Sequence, residues 1–225
     1  MASNLRALTI TTLCVLALPA AAFSQEHSGG YAKNGVYVAV SGVPNFTLDG
    51  LTFDGSTVYQ REDAEEFLIL PRLKARTSVR ALFGIRATRG SFEIGYEQTK
   101  HVGTFMGLNG EATFHSLNFD ERIFFLTRGR MQPYGLVGLA APWLTIKDGS
   151  FLEPDVADGS FRGFGVNSEL GVAVFVHPRI GLNAGYRYRA IWFDKASGVS
   201  DRLYTLRPRF RETSGSVAFG ASFTF

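Results

Sequence analysis

Apolar and polar side chains alternate with a period of two along most of this chain. Successive side chains of a strand point to opposite sides, so this period predicts strands with two unlike faces. Eight segments carry it, at about 34–43, 77–88, 91–101, 111–127, 132–145, 163–177, 179–194 and 213–225. In the last, Val217, Phe219, Ala221, Phe223 and Phe225 share one face, and Ala218, Gly220, Ser222 and Thr224 the other. In the seventh, Ile180, Leu182, Ala184, Tyr186, Tyr188, Ala190 and Trp192 oppose Asn183, Gly185, Arg187 and Arg189. The sixth sets Val166, Leu170, Val172, Val174 and Val176 against Asn167, Glu169, Gly171 and Ala173. The second sets Val79, Ala81, Phe83, Ile85 and Ala87 against Arg80, Gly84 and Arg86; the third sets Phe92, Ile94 and Tyr96 against Glu93, Gly95 and Glu97.

The polar face mixes small residues and Asn with single charges, unlike the Lys- and Thr-rich outer face of a soluble sheet. Such a face suits the inside of a narrow barrel, where side chains fill the tube. The apolar face then points to lipid, with aromatic girdles near the two interfaces. Trp143, Tyr186, Tyr188, Trp192, Phe223 and Phe225 are the girdle candidates. Connections alternate in length. Three are short (88–90, 128–131 and 177–178) and four are longer, at about 44–76, 102–110, 146–162 and 195–212. Short turns at one end and long loops at the other match an outer-membrane barrel with both termini on the periplasmic side. The predicted fold is all-β: a single eight-stranded antiparallel up-and-down transmembrane β-barrel. A ten-stranded variant would place an extra hairpin in 44–76, and a soluble lipocalin-like barrel would need an apolar interior. Two residues strain the pattern. Glu121 falls on the apolar face with Leu117, Phe119, Ile123 and Phe125, where a carboxylate costs free energy according to its depth. Pro142 interrupts an otherwise apolar fifth segment and is expected near its end or at a bulge, since proline cannot donate to the ladder.

Before the barrel comes a leader. Arg6 is the only charged residue ahead of Glu26, and an apolar run spans about 7–22. That is a secretory signal peptide, too short for the ~20 residues of a membrane-spanning helix. The domain reading is therefore signal peptide 1–24 and barrel 25–225, with cleavage after Ser24 preferred and after Ala22 the alternative. The single cysteine, Cys14, lies in the leader, so the mature chain is expected to lack disulfides and cysteine-bound metal. The 23 basic and 20 acidic residues give +3, too balanced for a nucleic-acid footprint.

Four stretches carry a family resemblance: 34–39 (NGVYVA), 133–140 (PYGLVGLA), 180–188 (IGLNAGYRY) and 215–225 (GSVAFGASFTF). They resemble the eight-stranded outer-membrane barrels of Gram-negative bacteria, in the opacity-protein and small surface-antigen porin-like group. The resemblance implies an integral protein of the cell outer membrane. Outer-membrane lipid and lipopolysaccharide would surround it. The alternating end of the chain (Val217, Phe219, Phe223 and Phe225) is similar to the signal read by the barrel-assembly machinery. The group is functionally mixed, with small porins, adhesins, structural envelope proteins and haem-binding antigens. No peptidoglycan-binding domain is expected after the last strand.

Face parity puts Arg80, Arg86, Arg122, Arg187 and Arg189 inside the tube with Glu93, Glu97, Asp120 and Glu169. Buried charges persist when paired and hydrogen-bonded, so these nine are expected to form ion-pair networks. Such a lumen is either a polar core that sets strand register or a gate that opens by re-pairing. The first long connection holds the acidic run 61–66, which is a solvated face or a contact for a host or cation partner, and the loops in general could meet a host or small-molecule ligand. Chemistry finds little footing. The mature histidines are His27, His101, His115 and His177, none at metal-ligand spacing. His115 and Ser116 are adjacent on one strand and point to opposite faces, so they form no dyad. His101 is expected near a loop rim and His177 in a periplasmic turn. The reading is a non-enzymatic barrel without cofactor or metal, porin-like or structural, with a loop-borne binding module as alternative. A lipid A-modifying enzyme is a weaker reading.

Overall fold

A computed structural model of the chain describes residues 30–46, 58–60, 67–69, 72–73, 76–105, 108–147, 158–197 and 210–225. Eleven strands lie among them. Eight build the barrel: β1 (Gly35–Phe46), β5 (Arg76–Arg86), β6 (Gly90–Phe105), β7 (Leu108–Phe124), β8 (Met131–Lys147), β9 (Asp158–His177), β10 (Ile180–Ser197) and β11 (Phe210–Thr224). Each pairs antiparallel with its neighbour in sequence, and β1 pairs with β11, so the tube closes with no free edge. The expected eight-stranded barrel is the one that forms.

The other three strands lie in the first long connection. β2 (Val58–Gln60) and β3 (Phe67–Ile69) form a separate two-stranded sheet, while β4 (Arg72–Leu73) pairs with β6 beyond the end of β5. A hairpin does form there, but outside the barrel wall. The acidic run at 61–66 lies outside the described residues.

The strands at the long-connection end run further than the alternation suggested. β6 and β7 stay paired to Phe105↔Leu108, and β8 and β9 to Lys147↔Asp158. β9 has 20 residues, about twice the 9–11 that span a bilayer, so the wall continues past the membrane. Much of the sequence that reads as loop at 102–110 and 146–162 is strand, because Thr, Gly and charged residues on both faces hide the period once lipid no longer selects it.

Faces follow the expected parity. Leu170, Phe125, Phe219 and Phe83 are among the large apolar residues exposed on the outside, whereas the buried set contains Arg80, Glu93, Glu97, Asp120 and Arg189. Pro142 sits neither at the end of β8 nor at a bulge. It faces Ser116 of β7, and on its other side the β8–β9 ladder skips from Ala140↔Gly165 to Trp143↔Arg162. The missing N–H of proline falls where the ladder has a gap.

Candidate functional site: the lumen

The interior is stacked in tiers. Near the long-connection end Phe114, Leu144 and Phe161 lie side by side in register and are fully buried. Phe193 and Ile191 of β10 are buried with them. At the short-turn end a second apolar cluster gathers Ala32, Phe124, Tyr134, Leu136, Ala173 and Phe175. Ala32 reaches it because residues 31–33 cross that end of the barrel: Tyr31 N donates to Thr127 O (2.9 Å) and Lys33 N to Pro178 O (2.8 Å). The two apolar tiers enclose the charges between them.

All nine charged residues expected inside are buried. Neighbouring strands alone would pair Arg80 with Glu97, which are register partners on β5 and β6. The observed pairing is different. Glu97 is held across the tube by Arg189, with Nη1 at 3.1 Å and Nη2 at 2.6 Å in a bidentate fork, and accepts from Ser78 Oγ at 2.6 Å. Arg189 Nε also donates to Asn167 Oδ1 (3.0 Å), and Asn167 Nδ2 donates to Asn118 (3.0 Å) and Asp120 (3.2 Å). Arg80 reaches over β6 to Asp120 on β7 at 2.5 Å and lies 3.8 Å from Glu93. That position matters because Glu93 and Asp120 stand directly opposite each other, an unfavourable pairing of like charges. Arg80 touches both.

Glu93 gathers further partners. The Arg122 guanidinium lies 3.0 Å away at Nε and donates from Nη2 at 3.3 Å, and Tyr37 Oη donates at 2.6 Å. Glu169 takes Arg187 Nε at 2.7 Å and Tyr134 Oη at 2.5 Å. Arg122 also lies 4.3 Å from the centre of the Tyr134 ring. Each of the four carboxylates therefore has an arginine and at least one neutral donor.

Arg86 is the exception. Among the described residues it has no carboxylate within ion-pair distance. Its guanidinium donates to Gln132 and stacks between rings, 3.8 Å from the Phe124 centroid and 4.7 Å from that of Phe175. Gln132 in turn donates to the carbonyls of Thr127 (3.0 Å) and Gly129 (3.1 Å) in the short turn.

Two inward glycines explain how long side chains cross the wall. A Cβ on Gly95 would meet Arg80 Nε at 2.5 Å, and one on Gly84 would meet the Tyr37 ring at 2.6 Å. Each glycine lies on the strand that its polar neighbour crosses to reach a carboxylate two strands away.

Several partners carry no charge and so stand outside the expected set of nine. Ser116, Asn118 and Asn167 share the parity of the charges, and Ser78 and Gln132 lie at the ends of their segments; all five are buried. Tyr37 and Tyr134 read as apolar, yet their hydroxyls serve the charges. One expectation needs correction. His101 is buried inside the lumen rather than at a rim, because β6 extends beyond it. Glu121 lies on the outer face, as its parity predicts, between Phe92 and Val137, and is only 7% exposed. Its aromatic and aliphatic neighbours cover it. His177 lies exposed at the last short turn, where its Nδ1 accepts from Arg179 N (3.2 Å). His27 lies outside the described residues.

On the outer wall Trp143 stacks on His115 (5.1 Å, 10°), and Tyr96 Oη bonds His115 Nδ1 at 2.6 Å. Trp192 stacks on Phe164 (5.0 Å, 15°). Both tryptophans lie toward the long-connection end, while Phe223 and Phe225 pack edge to face at the other. Tyr186 and Tyr188 stand midway along β10, exposed on the outer wall.

The sequence matches the family Outer membrane protein beta-barrel domain over residues 10–223. The chain belongs to that family. Its members and structural neighbours are outer-membrane barrels of Gram-negative bacteria. Among solved structures it is similar to Neisserial surface protein A at 18% identity and TM-score 0.53, covering 85% of this chain and 97% of that one. It is also similar to outer membrane protein OprG of Pseudomonas aeruginosa at 13% identity and TM-score 0.52, covering 88% and 98%. At these identities the likeness is one of fold. No curated protein matches the sequence significantly.

Proposed function

We propose that this outer-membrane barrel keeps a closed lumen as a structural core and acts as a surface protein through its long-connection end. The observation that carries this reading is the burial of the central tier. Ser116, Asn118, Asp120, Glu93 and Glu97 are each 0% exposed, and a continuous water path would leave them wet. The apolar tiers on either side support the same reading. Export by the leader at 1–24, folding by the barrel-assembly machinery through Val217, Phe219, Phe223 and Phe225, and contact with lipopolysaccharide go with it. Host or small-molecule ligands would meet the long connections.

The test is single-channel recording of the purified protein in planar bilayers. A folded but silent barrel is expected. Discrete conductance steps would overturn the closed-core reading and favour the second one, a gated ion path. One observation favours that rival: Glu93 lies between two cations, Arg122 at 3.0 Å and Arg80 at 3.8 Å, so a swap of partners needs little movement. Under the rival, changing Arg187 and Arg189 to Ala alters the steps.

A further inference from the structure

The two ends of the barrel differ in charge. At the long-connection end the signs are mixed: Glu111, Lys147 and Asp158 are register neighbours on β7, β8 and β9. At the short-turn end one sign prevails. Residues 30–35, 87–91, 125–132 and 176–181 contain Lys33, Arg89, Arg128, Arg130 and Arg179 and no Asp or Glu. The four arginines are exposed and Lys33 is half-buried. Among the described residues the ion pairs lie inside the tube, and none involves these five. Each short turn carries arginine: Arg89 between β5 and β6, Arg128 and Arg130 between β7 and β8, Arg179 between β9 and β10. The chain at 31–34 ties the three turns together. Tyr31 N donates to Thr127 O, Asn34 Nδ2 to Thr88 Oγ1 (3.0 Å) and Lys33 N to Pro178 O. Arg130 lies 5.4 Å from the centre of the Tyr31 ring. Backbone therefore fills the middle of this end, and the arginines stand around its rim. They stand where the apolar wall stops. Phe125 and Leu126, each 63% exposed, come just before Arg128; Met131, at 64%, follows Arg130; Ile180 follows Arg179.

We propose that this rim binds the phosphates of anionic phospholipids in the periplasmic leaflet of the outer membrane. Cations directly beside exposed apolar wall lie at the depth of lipid headgroups. The planar guanidinium matches phosphate oxygens with two parallel hydrogen bonds. A ring of one sign around a filled centre suits a shell of separate lipids rather than one compact ligand. A headgroup with its own ammonium already neutralises its phosphate, so the rim selects headgroups of net negative charge. Lipopolysaccharide, in the outer leaflet, meets the other end. A cell-wall polymer carrying carboxylates would approach from the periplasm and would not need cations at the level of Phe125 and Met131. The proposal goes beyond the closed-core reading and holds whether or not the lumen conducts.

The chain has two tryptophans, both toward the long-connection end, so a reporter can be placed at the short turns alone. Trp143→Phe, Trp192→Phe and Met131→Trp are combined, and the protein is refolded into vesicles of mixed phosphatidylcholine and phosphatidylglycerol. Its fluorescence quenching is measured with either lipid brominated in turn. Quenching by the anionic lipid should exceed that by the zwitterionic one at least about twofold, since each exposed cation near a lipid surface favours an anionic headgroup by up to about fivefold. The excess should shrink as salt is raised. Changing Arg89, Arg128, Arg130 and Arg179 to Gln should bring the ratio to one. Should that variant not fold, as judged by the gel shift, Arg128→Gln with Arg130→Gln removes the two cations beside the reporter and should lower the ratio. Equal quenching by the two lipids at low salt, or a ratio unchanged by the glutamines, overturns the proposal. Equal quenching together with arginine-dependent sedimentation on purified cell-wall sacculi would overturn it in favour of the wall polymer.

Discussion

The middle of the lumen and its short-turn end solve the same problem in different ways. In the middle, Arg80, Arg122, Arg187 and Arg189 meet carboxylates, tied together by Asn167, Ser78, Tyr37 and Tyr134. At the short-turn end, Arg86 meets an amide and two rings. The first arrangement is long-range: Arg189 and Glu97 join strands on opposite sides of the tube, 92 residues apart in sequence. The second is local to one turn. Cross-tube ion pairs fix the register of distant strands, whereas the Arg86 stack seals an end. Disrupting the middle should therefore cost more than disrupting the end.

The largest effect is expected for Arg189→Met. Among the described residues it leaves the buried Glu97 with Ser78 as its hydrogen-bond donor, and breaking a buried pair from one side typically costs about 3–5 kcal/mol. Urea unfolding in phospholipid vesicles, followed by the gel shift between folded and unfolded barrel, measures it. Adding Glu97→Gln should recover part of the loss, since an uncharged amide no longer needs the arginine. A double variant as unstable as the single would mean that Arg189 acts through packing on Phe114 instead.

Next comes Gly95→Ala. The added methyl occupies the place where Arg80 passes on its way to Asp120, and overpacking of this kind costs about 1–3 kcal/mol. Gly95→Ala combined with Arg80→Met should lose less than the sum of the two changes. Additive losses would show that the glycine serves the backbone and not the arginine.

The barrel was legible in the sequence because lipid imposes a strict period of two on every membrane-facing position. Leu170, Phe83 and Phe219 show it plainly. The nine inner charges followed from parity for the same reason. Their partners did not. Register pairs Arg80 with Glu97, yet the guanidinium of Arg80 bridges Glu93 and Asp120, and Glu97 goes to Arg189. The cause is the curvature of a closed tube, which brings strands into contact that no linear pattern relates. The tiers of Phe114, Phe161 and Phe193 were also hidden, because above the membrane the tube is filled with apolar groups on the face that carries charge below.

Arg86→Met should rank third. It removes two ring contacts and the donor to the Gln132 amide oxygen, but strands no carboxylate. Cation–π contacts in desolvated sites contribute up to about 2 kcal/mol, so the loss should fall clearly below that of Arg189→Met. The same unfolding assay ranks the two. A loss equal to that of Arg189→Met would erase the distinction between the two regions and make the short-turn seal as important as the central network.

The smallest effect tests the comparison from outside the tube. Tyr96 and His115 form a polar pair on the outer wall, backed by Trp143. Tyr96→Phe leaves the His115 nitrogen without its hydroxyl partner and should cost about 1 kcal/mol, within the usual net range of one hydrogen bond. Replacing both at once, Tyr96→Phe with His115→Leu, removes donor and acceptor together and should be close to neutral. No such neutral double replacement is expected for Glu97 and Arg189, whose partners Ser78 and Asn167 would remain buried behind them. If the outer pair proves as costly to replace as the inner one, polar networks matter equally on both faces, and burial inside the tube is not the factor that sets their importance.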